Sequence, residues 1–278
     1  YGLYQGSPIL FGTPDKLEPS TQKIVFRQNG QLEYVRILST DYELYPNEEL
    51  HKRLDAWAGN NGYEFYADAR YSNYTKSGYG AFFTYLPKGE ENGNYHVREN
   101  DGVKVGFSAR NSIDGSIGFG LDVFTFRGLC ENGSIVLQGE ERAWTPGALS
   151  RAAQGRIFHK HTVGLNDFLE GLDTHMESLR TVGEQVIFYY RQLAQVNINL
   201  EIAKALATVI PEKYLPFEMD KTEGPVLGSI QGPQDMWSVY NDVTQPIWHG
   251  AKLDIGTKFQ HFNALHHTLR KVIPPVVA

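Results

Sequence analysis

Two apolar runs with a turn between them decide the fold class: Val103-Lys104-Val105-Gly106-Phe107-Ser108-Ala109 and Ile117-Gly118-Phe119-Gly120-Leu121-Asp122-Val123-Phe124-Thr125-Phe126, joined through Asn111-Ser112-Ile113-Asp114-Gly115-Ser116. Asn, Asp, Ser and Gly bond their own backbone or take left-handed angles, so the connector reads as a turn and its flanks as neighbouring strands. In the second run Phe119, Leu121, Val123 and Thr125 alternate with Gly120, Asp122, Phe124 and Phe126. Both sets carry aromatics, so the sheet is expected to be covered on one face and partly covered on the other. Gly118 and Gly120 fall inside the run and read as close backbone approach or strong twist, not as a phosphate loop.

Working back toward the N-terminus, 79–86 and 63–70 are aromatic-rich runs of the same kind. Residues 87–101 are polar and read as an excursion with two Gly-containing turns. Further back, 23–28 and 32–38 flank Asn29-Gly30, a dipeptide of tight hairpins, so 23–38 is expected in the sheet. Pro46-Asn47, with Glu48 and Glu49 in the first turn, opens a helix over 47–58. Its Leu50, Leu54 and Trp57 share a face, and Gly59 with Asn60-Asn61-Gly62 stops it. Residues 1–20 carry Gly, Pro and Ser without a period and read as an irregular arm.

Beyond Pro146 the apolar period changes from two to 3.6. Helices are expected at 166–180, over 184–210 as two runs with the second opening near Asn199, at 233–247 and at 257–270, with 211–232 a Gly/Pro-rich connector. The chain is therefore expected to be α+β, with an antiparallel or mixed sheet in its N-terminal half and the helices of its C-terminal half packed on that sheet. The organisation reads as an arm over 1–20, a strand-rich core over 21–165 and a helical region over 166–278 continuous with the core.

Composition limits the function. The chain has 278 residues, of which 41% are hydrophobic, 13% aromatic and 21% charged. That excludes disordered, collagen-like and coiled-coil classes. The net charge of −6 gives no global cationic field, so a polyanion site must be a local patch. The single Cys130 excludes an intrachain disulfide framework and a cysteine-cluster zinc site, and points to an intracellular compartment. Cys130 itself is expected to be packed and chemically quiet, since Glu131 is a neighbour of the wrong sign for a thiolate. No run of 18 apolar residues appears, so no membrane span is expected. Sequons at Asn73 and Asn132 are of a length that arises by chance. The chain opens on Tyr1 rather than Met, so a leader or further N-terminal residues are expected before it.

Few motifs carry chemistry. No Gly-x-x-x-x-Gly-Lys-Ser/Thr run is present, so nucleotide hydrolysis has little support. His159 and His161 stand at strand spacing, and would need a distant third ligand from His249, His261, His266 or His267 to hold a metal. Asp235, Asp242 and Asp254 could gather near His249, or simply cap helices. No cofactor and no metal is expected. The clearest local signal is a mixture of cations and aromatics: Arg127, Arg142, Trp144, Arg151, Arg156, Phe158, His159, Lys160 and His161. Arg and Lys neutralise phosphates while aromatic rings stack on bases, so these residues are expected to form one polyanion-binding face at the junction of sheet and helices. Arg70, Tyr71, Tyr74 and Lys76 make a second such mixture. The competing reading is that Arg127 pairs with a buried acid and the histidines merely finish a strand.

Four elements in order resemble a phage and plasmid protein family, the DUF932 family. They are the tyrosine and Asn-Glu helix entry from Tyr42 to Leu54; Asn111-Ser112-Ile113-Asp114-Gly115-Ser116 followed by Arg127 and Cys130-Glu131-Asn132; His161-Thr162 leading into a helix; and Trp237-Ser238-Val239-Tyr240-Asn241-Asp242-Val243-Thr244 with His249 beyond. The resemblance spans roughly residues 35–250, and Glu131 replaces the Gln common at that place in the family. It implies a role in the replication or recombination gene sets of mobile elements. The order of a strand-rich half and then helices is also similar in outline to Rad52-like single-strand annealing proteins, a likeness of fold only. Three readings follow, in this order: a sequence-nonspecific single-stranded nucleic-acid binding or annealing protein of a mobile element, a structural or host-interaction protein of a phage or plasmid, and a metal-assisted enzyme. A homo-oligomer is expected, with single-stranded DNA as partner, because the exposed edge of the 23–38 hairpin and the segments 1–20 and 211–232 offer surfaces to a neighbouring copy.

Overall fold

The computed structural model describes residues 2–5, 10–13, 16–19, 22–29, 31–89, 94–127, 132–136, 156–159, 167, 170–250 and 252–275. Three short strands come first: β1 (Gly2–Gln5), β2 (Leu10–Thr13) and β3 (Lys16–Pro19). They lie within the stretch read as an irregular arm. A hairpin of β4 (Gln22–Asn29) and β5 (Gln31–Ser39) follows, then α1 (Asn47–Asn60). The next strands are β6 (Tyr63–Phe65), β7 (Asn73–Tyr74), β8 (Gly80–Pro87), β9 (Asn94–Arg98), β10 (Asp101–Ser112), β11 (Phe119–Arg127), β12 (Asn132–Val136) and β13 (Arg156–His159). The C-terminal half holds α2 (Leu172–Leu193), α3 (Leu200–Val209), a small hairpin of β14 (Glu218–Asp220) and β15 (Gly224–Val226), α4 (Met236–Gln245) and α5 (Ile255–Val272). The fold is α+β, with its sheet in the N-terminal half and its helices in the C-terminal half.

The strand pair read first from the sequence is the centre of the main sheet. β10 and β11 pair antiparallel, with Phe107 opposite Val123 and Ser108 opposite Asp122. The order is β12-β11-β10-β8-β6, and every pairing is antiparallel. Long strands share their outer edges between two short ones. β12 takes the Val123–Arg127 end of β11 and β13 takes the Phe119–Asp122 end. β9 likewise takes the start of β10 and β8 its end.

Several expectations are corrected. The 23–38 hairpin is not in the main sheet; it pairs with β1 to form a separate three-stranded sheet, β1-β4-β5. The run 63–70 is strand only to Phe65, because Asp68 builds a turn in which its carbonyl accepts from Tyr71 and Ser72. The excursion 87–101 contains β9, a polar strand paired to β10. The connector 211–232 contains the β14-β15 hairpin. The helices expected to break near 181–183 run through as α2, and the break comes at 194–199, where the Asn199 side chain caps α3 by accepting from the Ile202 N–H. α2 continues because Gly183 sits against the sheet: a Cβ there would come within 2.4 Å of Val105 Cγ1.

The core follows from these layers. α1 buries Leu50, Leu54 and Ala58 on one sheet face, with half-buried Trp57 edge-on to Phe107 at 6.0 Å. α2 reaches the same face, and its Tyr190 hydroxyl lies 3.1 Å from Thr125 Oγ1. The start of α1 is tied down by Asn111, whose Nδ2 donates to the Tyr45 carbonyl (2.7 Å) and to Asn47 Oδ1 (2.8 Å). The other face carries Phe82 against Phe259 of α5 (4.2 Å) and Phe124 against Tyr71 (5.4 Å), with Trp248 packed on Tyr71 and Phe262. Each such ring contributes about 1.5–3 kcal/mol relative to leaving it in water. One continuous cluster links α1, the main sheet and α2 to α5. The three-stranded sheet meets it through a second, small cluster of Val25, Val35 and Ile113.

The outer face of that sheet is apolar. A register shift at Val25/Phe26 puts Ile24 opposite Ile37 and Phe26 opposite Tyr34 on one side. Leu32, Tyr34 and Ile37 are 62%, 55% and 41% exposed there. Among the described residues, no helix is long and apolar enough to cross a membrane.

Candidate functional site

Arg127, the first residue of the expected polyanion face, is committed to an acid. Its Nε and Nη2 donate to Asp101 Oδ1 (2.5 Å) and Oδ2 (2.8 Å), and the indole N–H of Trp237 donates to the same Oδ2 (2.8 Å). The guanidinium also lies over the Trp237 ring at 5.7 Å. Beside this pair Arg98 is bonded to Asp235, which caps α4 by accepting from the Ser238 N–H (3.0 Å). These two pairs clamp the ends of β9, β10 and β11 to the start of α4. The competing sequence reading, a cation paired with a buried acid, describes Arg127.

Of the rest of the expected face, the described residues lie on β13, paired to β11. β13 sets Arg156 opposite Asp122, Phe158 opposite Gly120 and His159 opposite Phe119. Arg142, Trp144, Arg151, Lys160 and His161 lie outside the described residues, as does Cys130. Asp122, which faces the segment across the ladder, is fully buried and ion-paired to Arg110 Nε at 3.1 Å. Burial pushes its carboxyl up to about 6, and the Arg110 charge opposes that rise. With Ser108 opposite Asp122 and Thr84 opposite Ser108, a buried polar row crosses three strands toward Arg156. Nothing in the sequence singled out this row, because its members are neighbours only across the ladder.

The second cation–aromatic mixture is gathered with residues far along the chain. Arg70 donates to Asp68 from Nε (3.0 and 2.9 Å) and from Nη2 (2.5 Å), and its Nη1 donates to His249 Nδ1 (2.6 Å). His249 stands on a π-turn, Pro246–Gly250, that continues α4. From α5, buried Lys258 donates to the Trp248 carbonyl (3.1 Å) and lies over the Trp248 ring at 5.3 Å. Arg70 lies over Tyr71 at 5.4 Å, and the rings of Tyr71 and Trp248 are 4.4 Å apart. Burial lowers the Lys258 pKa, with a smaller push from the Arg70 charge, while Asp68 opposes it. Hydrogen bonds from Arg70 hold the Asp68 carboxyl below its usual range against the opposing effect of burial. Lys76 joins the group through its N–H, which donates to Asp254 Oδ2 (3.0 Å), and Tyr74 is exposed beside it.

Among the described residues, the carboxylates and histidines stand apart from one another. Asp235 and Asp254 cap α4 and α5. His249 meets Arg70, His261 faces the Tyr214 ring, and buried His266 lies 2.9 Å from the Tyr240 hydroxyl. Burial, helped by Arg270, pushes the His266 pKa down to about 3, so it is neutral. Among the described residues, no three of His, Cys, Asp and Glu stand together as metal ligands. Asp114, read as a turn acid, is one: its Oδ1 accepts from the Ser116 N–H (3.0 Å).

A family model described as a domain of unknown function, DUF932, matches residues 35–272. No curated protein and no solved structure matches the chain, so the outline likeness to Rad52-like annealing proteins rests on element order alone.

Proposed function

The chain belongs to the DUF932 family, and from that premise we propose that it is a sequence-nonspecific single-stranded nucleic-acid binding or annealing protein of a mobile element, working as a homo-oligomer in the host-cell cytoplasm. The observation that carries the reading is the place of β13. The segment richest in cations and aromatics joins the sheet as an outer strand on β11. A rim of Arg and Lys beside aromatic rings suits a strand held by its phosphates and bases, with little readout of sequence. Arg127 has its guanidinium on Asp101, so in this reading it positions the end of β11 while Arg142, Arg151, Arg156 and Lys160 supply charge, and Phe158, His159 and His161 supply rings.

The test is fluorescence anisotropy with labelled single- and double-stranded DNA at two salt concentrations. The parent is expected to prefer the single strand and to weaken as salt rises, because phosphate contacts release counterions. Arg156→Ala with Lys160→Ala is expected to keep the circular dichroism of the parent and to lose on the order of tenfold in affinity at low salt. A folded double variant that binds as tightly as the parent removes the face from consideration. The structural or host-interaction reading is favoured by a different observation, the exposed Leu32, Tyr34 and Ile37 face, which suits a protein partner better than a polyanion.

A further inference from the structure

The outer edge of β8 is shared by two short strands: β6 lies opposite Tyr85, Leu86 and Pro87, and β7 opposite Ala81 and Phe82. Alternate residues of a strand share a face, and residues opposite one another across a ladder do too. Phe65, Phe83 and Tyr74 therefore follow one another along that edge on the side of α1. His51 of α1 closes over the row. Its ring is stacked on Phe83 (4.6 Å, 11°) and tilted on Phe65 (4.4 Å). Tyr74 meets Phe83 edge-on at 6.2 Å and is 43% exposed, so solvent reaches the row at this end.

The polar groups around this row are acceptors. Tyr85 donates its hydroxyl proton to the His51 carbonyl (3.4 Å), so in the 2.9 Å contact with that hydroxyl the Nδ1 of His51 is the donor, and Nε2 is left as an acceptor. Burial lowers the His51 pKa against the opposing charge of Asp55, so the ring is neutral near neutral pH. Glu48 and Asp55 stand three residues before His51 and four after it, on the same side of α1. Both are exposed. Burial raises the Tyr74 pKa and the Glu48 charge adds to the rise, which sets a carboxylate near the exposed ring. The two cations of α1 answer a different acid. A hydrogen bond from Arg53 Nε (2.7 Å) lowers the Glu49 pKa, and the Lys52 charge adds to it. Along α1 the acids Glu48, Glu49 and Asp55 outnumber Lys52 and Arg53 by one.

An exposed ring flanked by carboxylates and a neutral imidazole suits a ligand that is cationic, flat and made of donors. A guanidinium group is all three, and it stacks on aromatic faces where a hydrated ammonium does so less well. We propose that Glu48, His51, Asp55 and Tyr74 dock an arginine-bearing segment of a protein partner. One guanidinium lies on the Tyr74 ring and donates to Glu48. A second cation of the same segment answers Asp55, about two helical turns along α1. Phe65 and Phe83 hold the His51 ring in place, with its Nε2 turned to the incoming donors. The carboxylates repel phosphate, so this surface is distinct from a polyanion face and the inference does not rest on the nucleic-acid reading.

The probe is a fluorescein-labelled peptide that alternates arginine with serine, read by anisotropy at low salt beside the same peptide with lysine for arginine. The parent is expected to bind the arginine peptide several-fold more tightly than the lysine peptide. Tyr74→Ala is expected to remove that preference, and Glu48→Gln with Asp55→Asn to weaken binding about tenfold. Glu201→Gln with Glu218→Gln removes the same charge from exposed acids on α3 and β14 and is expected to bind as the parent does. All these side chains are exposed, and circular dichroism checks the fold of each variant. No binding by the parent, or an equal loss in the two double variants, would overturn the proposal. So would equal affinity of the parent for the arginine and lysine peptides. Loss of labelled oligothymidylate binding in folded Tyr74→Ala would overturn it as well, since the ring would then serve a base rather than a guanidinium.

Discussion

Asp122 shows what one buried carboxyl does to the whole chain. It stands next but one along β11 from Gly120, which pairs with Arg110, so its counter-charge is a diagonal neighbour across the ladder. Folded, its carboxyl holds a proton up to about 6; the ordinary value is 3.8. Between these values the folded state binds more protons than the unfolded one. Its contribution to stability is therefore full below about 3.8 and is lost as pH rises through about 6. Asp68 works in the opposite sense, because its pKa is lowered. Urea unfolding of the parent and of Asp122→Asn across this window should show a stability difference that falls as pH rises; a difference independent of pH would mean that the carboxyl does not titrate there. The alternating pattern shows the residue's place in a strand and nothing of its partner, since Arg110 is remote until the turn at 113–117 folds the strands together.

At the scale of elements, contact rather than propensity sets α2. Thr181-Val182-Gly183 reads as a break because Gly weakens helices, yet α2 uses Gly183 to reach Val105. Gly59, near the end of α1, has nothing within 4 Å of a would-be Cβ. The two sites therefore predict opposite signs. Gly183→Ala is expected to destabilise by about 1–3 kcal/mol through overpacking, despite the better helix former. Gly59→Ala is expected to stabilise by about 0.5–1 kcal/mol. Thermal melts of both variants check the pair, and a stabilised Gly183→Ala would refute the close approach. The legible elements were those with strong apolar periods: α1, β8, β10, β11 and α5. β9 was illegible because Asn94-Tyr95-His96-Val97-Arg98 carries little apolar signal, and its strand state comes from pairing to β10. The break at 194–199 is legible in Asn199, a capping residue with which a further helical run opens. Of the candidate site, the cation–aromatic mixtures were visible, while His249 and Lys258 reach Arg70 only through the π-turn and α5.

For the whole molecule, the proposed homo-oligomer is best tested at the three-stranded sheet. The family match begins at residue 35, inside β5, so most of this sheet precedes it. Its outer face collects Ile24, Phe26, Leu32, Tyr34 and Ile37, and β5 is its edge strand. A second copy covering that face would remove apolar surface from water and protect the edge. Light scattering of the parent at micromolar concentration should therefore report a mass above that of one chain. Leu32→Lys, Tyr34→Lys and Ile37→Lys together should return it to one chain without loss of the far-ultraviolet circular dichroism signal. A parent that scatters as a single chain would end the oligomer reading.

The division of the interior into one large cluster and the small group of Val25, Val35 and Ile113 also sets the order in which the protein comes apart. Local opening draws on the free energy of the contacts it breaks. Separating β4 and β5 from the body breaks few buried contacts, whereas β10 cannot leave β8 and β11 without dissolving the core that all the helices share. In deuterated buffer the amides paired between β4 and β5 should exchange through a partial opening, hours ahead of those at Phe107 and Ala109, which should wait for global unfolding. Equal protection in both places would mean that the small sheet and the body unfold as one unit.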